Sequence, residues 1–403
     1  MNQKNQSAIR GTYRVSLIGA IKSNLAGLQG YDSMALELIQ NADDAKAKEI
    51  VFDITEKGLL VRNTASFTYC GDLLEQQCKH EKIEDSKSCD FHSIAEVSSG
   101  NKLSQSDNIG RFGIGFVSVY QITDRPEIRS KGIKLTLMPE EEDWTLVQID
   151  ESDGTSFFLP WAKDPNTKAR RALELSQVNE KHINQLIEAF KGILSKSLLF
   201  LRHVRKVEVQ QEGTMLLACK LNRSGEDESE LTVNYEPSGK VEKWRILQTD
   251  ATKSAESLCE EYPQLRSHDR SSKIKIGLRI HPEPLDEGLL YAYLPTKQST
   301  GLPLHINADF YPEPDRKQVI FAGSQHQEEW NEMLINAAAG ELARDPEGLL
   351  QMLGDEQLWK VLDKAYELYS PSSNHPTCFN HFWEQLEITA TEARITRTRD
   401  KSI

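Results

Sequence analysis

Apolar positions recur at helical spacing over residues 15–28 and 33–47, where Leu38, Ile39, Ala42 and Ala45 supply a packing side. Strand-like patterns follow at 49–55 and 58–62, then at 131–138, 144–150 and 155–159. Between these sets lies a polar span, 68–107, with Lys-Ser, Asp-Ser and Ser-Gln-Ser clusters and little periodicity. An insert of that length in a compact domain is usually functional or mobile. These elements predict an α/β sandwich, an antiparallel or mixed sheet with helices on one face.

Farther on, 164–171 reads as a linker. The stretch 176–201 is strongly helical, with Ile183, Leu186, Ile187, Phe190, Ile193 and Leu194 on one stripe. Strands resume at 204–210, 214–220, 231–235, 242–249, 274–281, 288–294 and 302–309, with a charged hairpin loop at 224–230. Helices are predicted at 327–344, 346–369 and 379–391, ahead of a charged tail without a cap. A chain of 403 residues exceeds the usual ceiling for one core. The expected division is a first α/β domain over 11–160, a linker and helix over 161–200, a second α/β domain over 201–345, and a helical C-terminal segment over 346–403. The uncapped ending suggests one module of something longer.

Two elements carry chemistry. Glu37, Asn41 and Asp44 fall on one helical stripe. A carboxylate one turn from a carboxamide can hold a water and an oxygen-liganded Mg²⁺ together, although a solvated acidic helix face would look the same. Downstream, Gly110, Gly113 and Gly115 stand in the run NIGRFGIGFVSVY. Such glycines let backbone amides approach an anion, and a helix beginning near Gly115 would add its positive end. The spacing is neither a Rossmann fingerprint nor a P-loop.

ELIQNADDA followed by IGRFGIGFVSVYQITD resembles the Bergerat-type ATPases, the gyrase, heat-shock chaperone, histidine-kinase and MutL (GHKL) superfamily. Within it, the heat-shock chaperone branch and above all sacsin-type ATPase modules are similar. Ser93-Ile94-Ala95 and Ser98-Ser99-Gly100-Asn101-Lys102 resemble the lead into the phosphate loop, and Asp153-Gly154-Thr155 resembles the adenine strand. Leu294-Pro295, the run TGLPLHIN from Thr300 to Asn307, and Arg316 resemble the second domain of sacsin-type modules. One block departs from the pattern. Where most members place Asp-x-Gly-x-Gly, this chain has Val61-Arg62-Asn63-Thr64-Ala65-Ser66-Phe67. Asn63 can accept from the adenine amino group, but its own amide presents a donor to the same region.

The resemblance implies a slow Mg²⁺-dependent ATPase whose lid, 68–107, closes over the nucleotide and whose second domain then rearranges, in a chaperone-like or stress or defence role. Glu37 would activate the attacking water and Asn41 would ligate Mg²⁺. The loop Gly110, Arg111, Phe112, Gly113, Ile114, Gly115 and Phe116 would cradle the phosphates, with Lys102 adding charge. Asn63 and Thr155 would contact adenine, and Asp44 would position the helix or a water. Lys297 or Arg316 would reach the terminal phosphate. Besides ATP and ADP, a homodimer and a protein client are the expected partners. The competing reading is a nucleotide-dependent interaction or dimerisation module with little or no hydrolysis; the intact Glu37 favours hydrolysis, and the altered Asn63 loop leans the other way.

Composition narrows the picture. A net charge of −13 argues against broad nucleic-acid binding, and the short basic stretches 163–171 and 202–206 read as solvated linker faces. No apolar run reaches membrane-spanning length and no signal-peptide core is visible, so a cytoplasmic location is expected. Six cysteines without paired spacing suit a reducing compartment. Cys70, Cys78, His80, Cys89 and His92 gather within the polar span, yet no CxxC or HxxxH pairing supports zinc there, and the sequence reading sets it aside.

Overall fold

The computed structural model describes residues 16–28, 30–74, 78–80, 88–99, 114–268, 270–313, 316–323 and 325–392. Helix α1 (Leu17–Gly27) starts at Ser16, whose hydroxyl accepts from the Gly19 amide, and buries Leu17, Ile21 and Leu25. Helix α2 (Tyr31–Asp44) starts after Gly30, which holds φ at 117°, a conformation open to glycine. It buries Leu38, Ile39 and Ala42 of the predicted packing side, together with Met34 and Ala35, while Ala45 at its C-terminal end is half-buried.

Strands β1 (Glu49–Ile54) and β2 (Gly58–Asn63) pair antiparallel. Helix α3 (Asp90–Ser99) and a 3-10 segment (Ile114–Gln121) precede β3 (Glu127–Ser130), β4 (Ile133–Met138), β5 (Asp143–Gln148) and β6 (Thr155–Pro160). The tighter 3-10 winding replaces the α-helix expected near Gly115. After α4 (Lys168–Leu173) and α5 (Glu180–Ser197) come β7 (Lys206–Gln211), β8 (Thr214–Ser224), β9 (Glu230–Glu236) and β10 (Val241–Asp250). Helix α6 (Thr252–Glu261) leads to β11 (Lys273–His281), β12 (Leu289–Ala292), β13 (Leu294–Ser299) and β14 (His305–Asn307). Four helices follow: α7 (Gln325–Ala343), α8 (Pro346–Leu353), α9 (Asp355–Tyr369) and α10 (Asn380–Glu392). The predicted helix over 346–369 breaks at Gly354, which sits at φ 74°.

All fourteen strands join one mixed sheet, in the order β13-β12-β14-β11-β10-β9-β8-β7-β1-β2-β6-β3-β4-β5. The seam is β1 against β7, parallel, with Ile50 opposite Val207 and Phe52 opposite Val209. Strands from the two α/β units expected from sequence therefore join in one sheet across this seam. Helix α5 crosses this seam, and Phe190 meets Phe52 edge-on at 5.0 Å. A second core gathers α7 to α10 against β11 and β14, with Ile276, Ile306, Trp330 and Phe382 buried. Among the described residues no helix is long and apolar enough to cross a membrane.

Candidate functional site

Glu37 lies on the face of α2 turned toward the 3-10 segment, and only 6% of it is exposed. The reason it fits is Gly115: a Cβ placed there would stand 1.7 Å from Glu37 Oε2. The glycine therefore serves as the wall of the carboxylate's pocket, whatever its part in holding phosphates. Burial pushes the Glu37 carboxyl above the usual carboxylate range, and the Arg316 guanidinium beside it pulls the other way. Arg316 Nη1 donates to Glu37 Oε1, and to Gln40 Oε1 at 3.2 Å. One turn along, Asn41 carries its Nδ2 buried and, among the described residues, without a hydrogen-bond partner. A buried orphan donor is uncommon, and beside a carboxylate it points to an acceptor that arrives from outside.

Both candidate cations from the second half of the chain reach α2. Lys297 Nζ, on β13, lies 3.0 Å from Asp32 Oδ2, and its side chain is 62% exposed. Arg316 is held in the left-handed region, φ 55°, by a tight turn in which its amide donates to Glu313 O at 2.8 Å. The Lys297 amide donates to Lys317 O at 2.7 Å, which ties β13 to the turn that carries Arg316.

Asn63 and Thr155 are partners across the β2–β6 ladder. Asn63 Oδ1 accepts from the Ala65 amide at 3.0 Å, which occupies one of its lone pairs in a local turn. Gly154 sits at φ 72°, and a Cβ there would stand 2.2 Å from the Asn63 carbonyl oxygen, so only glycine fits. Thr155 is buried; its hydroxyl donates to Ser130 Oγ at 3.0 Å, and Ser130 in turn donates to Gly154 O at 2.9 Å. With its proton spent, Thr155 Oγ1 presents lone pairs, as a partner for an amino group must. Ser130, absent from the sequence reading, is the hub, because it also accepts from the Phe67 amide at 3.0 Å.

A family model described as Sacsin domain matches residues 14–144. The start of this chain is thus similar to Sacsin domains. It is 30% identical over 143 residues to human sacsin, a match covering 34% of this chain and 3% of that protein. Protein NO VEIN of Arabidopsis thaliana is 24% identical over 343 residues, 76% of this chain and 11% of that protein. The chain thus spans about a tenth or less of the length of these relatives. Among solved structures, the ATPase domain of the mismatch repair endonuclease MutL from Aquifex aeolicus aligns with a TM-score of 0.34 at 12% identity, over 68% of this chain and 86% of that domain.

Of the predicted site residues, Lys102, Gly110, Arg111, Phe112 and Gly113 lie outside the described residues. Phe116 is core: its ring packs 5.8 Å from Phe157, which leaves its backbone as the part available to a ligand. Asp44 is half-buried at the end of α2, whereas its neighbour Asp43 does the anchoring. Asp43 accepts from the amides of Arg202 (3.0 Å), His203 (2.7 Å) and Val204 (2.8 Å) and so fixes α2 to the strand seam.

The solvated reading of the basic stretches holds for Lys163, Lys168, Arg171 and Arg202, which are exposed, and fails at Arg170. Arg170 is fully buried, its Nε 2.5 Å from Asp124 Oδ1, and it donates to the carbonyls of Tyr120, Gln121 (3.2 Å) and Thr123 (3.0 Å). It thereby caps the 3-10 segment whose first turn carries Gly115. The cysteines and histidine of the polar span, set aside from sequence for want of paired spacing, do come together. Cys70, Cys78, Cys89 and His92 bring their ligand atoms within 4.8 Å of one another, and His80 is not in the group. Cys89-Asp-Phe-His92 is a paired CxxH spacing that could have signalled it.

A cavity of about 320 Å³ lies elsewhere, under β9, β10 and β14. Its polar groups satisfy one another: Glu242 accepts from Tyr235 (2.9 Å), Trp244 (3.3 Å) and Arg279 (3.3 Å). His305 accepts from the Leu289 amide at 2.8 Å, and burial pushes its pKa down to about 3, so it stays neutral.

Proposed function

We propose that the chain binds ATP with Mg²⁺ over α2 and hydrolyses it slowly, with Glu37 as general base. One observation carries the reading: a buried carboxylate with a raised pKa, seated against Gly115, lies one turn from the unpartnered amide of Asn41. A base works best with a pKa near the working pH, and burial moves Glu37 that way.

The Asn41 carboxamide suits the hard cation: Oδ1 can face the metal while Nδ2 donates to a phosphate oxygen. Mg²⁺, when bound, would neutralise developing charge on the phosphates. Asn41 holds its place because α2 is fixed at Asp43 and packed along Leu38, Ile39 and Ala42. Residues 110–116 with Lys102 would cradle the phosphates, Asn63 and Thr155 would read adenine, and Asp44 would orient a water at the helix end. Arg316 is the better-placed cation for the terminal phosphate, since it already lies on the base. Lys297 serves beside it through Asp32. In the ATP-bound state Arg316 would leave Glu37 for the phosphate, freeing the carboxylate for water and reporting the nucleotide to the second half of the chain.

The alternative, a nucleotide-dependent interaction or dimerisation module without turnover, draws support from the same ion pair, because a base held by Arg316 is not free to act. Steady-state ATP turnover on the intact chain and on Glu37→Gln separates the two. Turnover that falls at least about a hundredfold in the variant supports hydrolysis. Tight binding without turnover in the wild type moves the assignment to the interaction module. Chaperone-like or defence roles, a homodimer and a cytoplasmic setting belong to this proposal as its wider frame.

A further inference from the structure

We infer that Cys70, Cys78, Cys89 and His92 form a structural zinc site at the base of the segment that leads into residues 100–113. The four side chains come from the loop after β2 and the start of α3, and their ligand atoms lie within 4.8 Å of one another. His92 Nδ1 is 3.3 Å from Cys70 Sγ and 3.4 Å from Cys89 Sγ. A tetrahedron with Zn–S of ~2.3 Å and Zn–N of ~2.0–2.1 Å has S···N edges of about 3.6 Å and S···S edges of about 3.8 Å. The two S···N edges are slightly shorter than this and the longest separation in the set is up to about 1 Å longer than a tetrahedral edge, so small shifts of the side chains would bring the donors to the corners.

The surroundings fit thiolates. The Cys89 amide donates to Cys78 Sγ at 3.3 Å, and the His92 amide donates to Cys89 Sγ at 3.4 Å. Amide donors aimed at sulfur stabilise the deprotonated ligand, as outer-shell partners do. A disulfide would use two sulfurs and strand the third beside the imidazole, and all three cysteines are unlinked. A Cys–His nucleophile would need open access, yet Cys78, Cys89 and His92 are all buried. Three sulfurs and one nitrogen, with every position filled from the protein, describe a closed site that suits zinc and leaves no place for substrate.

The site would join two pieces that already touch. Asp90 Oδ2 accepts from the Thr68 amide at 2.7 Å, and Phe91 packs against Phe67 at 5.2 Å. Zinc would lock that contact and fix the start of α3, the helix that precedes the proposed phosphate loop in sequence. It stands on its own geometry and does not depend on ATP binding.

The test is metal analysis of the intact chain, purified under reducing conditions without chelator from zinc-supplemented cells. About one zinc per chain is expected, falling below roughly 0.2 in Cys89→Ser. A strong chelator should lower the wild-type Tm by at least about 5 °C, and added zinc should restore it. Should Cys89→Ser fail to fold, cobalt added to the chelated wild type decides: intense d–d and thiolate-to-cobalt bands, abolished by equimolar zinc, are expected. Less than about 0.1 zinc per chain together with no tetrahedral cobalt spectrum overturns the site, whatever the nucleotide experiments give.

Discussion

Arg316 and Glu37, separated by 279 positions in sequence, form a hydrogen-bonded ion pair on the face of α2 turned toward the 3-10 segment. The contact joins the proposed base to the strand-rich second half of the chain. It places a guanidinium where a terminal phosphate would otherwise be the competing anion.

Arg316→Ala and Lys297→Ala should therefore differ. Loss of Arg316 removes a group in contact with the base, and a phosphate-contacting cation is worth much in phosphoryl transfer. Turnover should fall by about a hundredfold or more in Arg316→Ala and by less than about tenfold in Lys297→Ala, whose pair with Asp32 is largely exposed. ADP affinity should change little in either. Equal turnover in Arg316→Ala and wild type would remove Arg316 from the reaction.

Gly115 offers a sharper perturbation. An added methyl collides with Glu37 Oε2, so Gly115→Ala must displace the carboxylate. A shift of about 1 Å can reduce rate by about a hundredfold. The loss should vanish in a Glu37→Ala background, where nothing remains to displace. A double-mutant cycle on turnover checks this, and full additivity would disconnect the two residues.

How much of this was legible follows from range. The Glu37–Asn41 stripe was readable because helical period alone decides which side chains share a face. The β1–β7 seam was not, since parallel pairing across 150-odd residues leaves no local mark. Arg170 was misread for a similar reason: a lone arginine in a basic run shows nothing of the four oxygens it caps. Cys70 and Cys78 are brought to Cys89 and His92 by a loop, so only the last two carry a spacing.

The pH profile follows from the buried carboxyl. Its folded value is raised, so the protonated, inactive form persists above the ordinary glutamate range near ~4.3. Turnover should rise with pH through that raised value. The stability this group contributes runs the opposite way: it is full below ~4.3 and declines as pH climbs through the folded value. Arg316 pulls the value down, so Arg316→Ala should shift the acid limb of kcat upward in pH. A limb at the same pH in both proteins would mean that another group titrates.

Asp43 tests the architecture apart from the chemistry. Asp43→Ala leaves three amides, those of Arg202, His203 and Val204, without their acceptor. Each unsatisfied buried donor costs about 1–3 kcal/mol, and water entry softens the sum, so a loss of about 2–4 kcal/mol is expected. Chemical denaturation measures it. A loss below about 0.5 kcal/mol would show that the helix end is held by something else.

Calorimetry with a non-hydrolysable ATP analogue and Mg²⁺, on the wild type and on Asn41→Ala, tests the proposal most directly. Asn41 is the one polar side chain on the stripe whose buried amide lacks a partner among the described residues, so its truncation should remove nucleotide contacts and disturb little else. The expected result is saturable binding to the wild type and at least about tenfold weaker binding to the variant, a difference of about 1.4 kcal/mol. No heat of binding in the wild type, or the same affinity in both proteins, would contradict it.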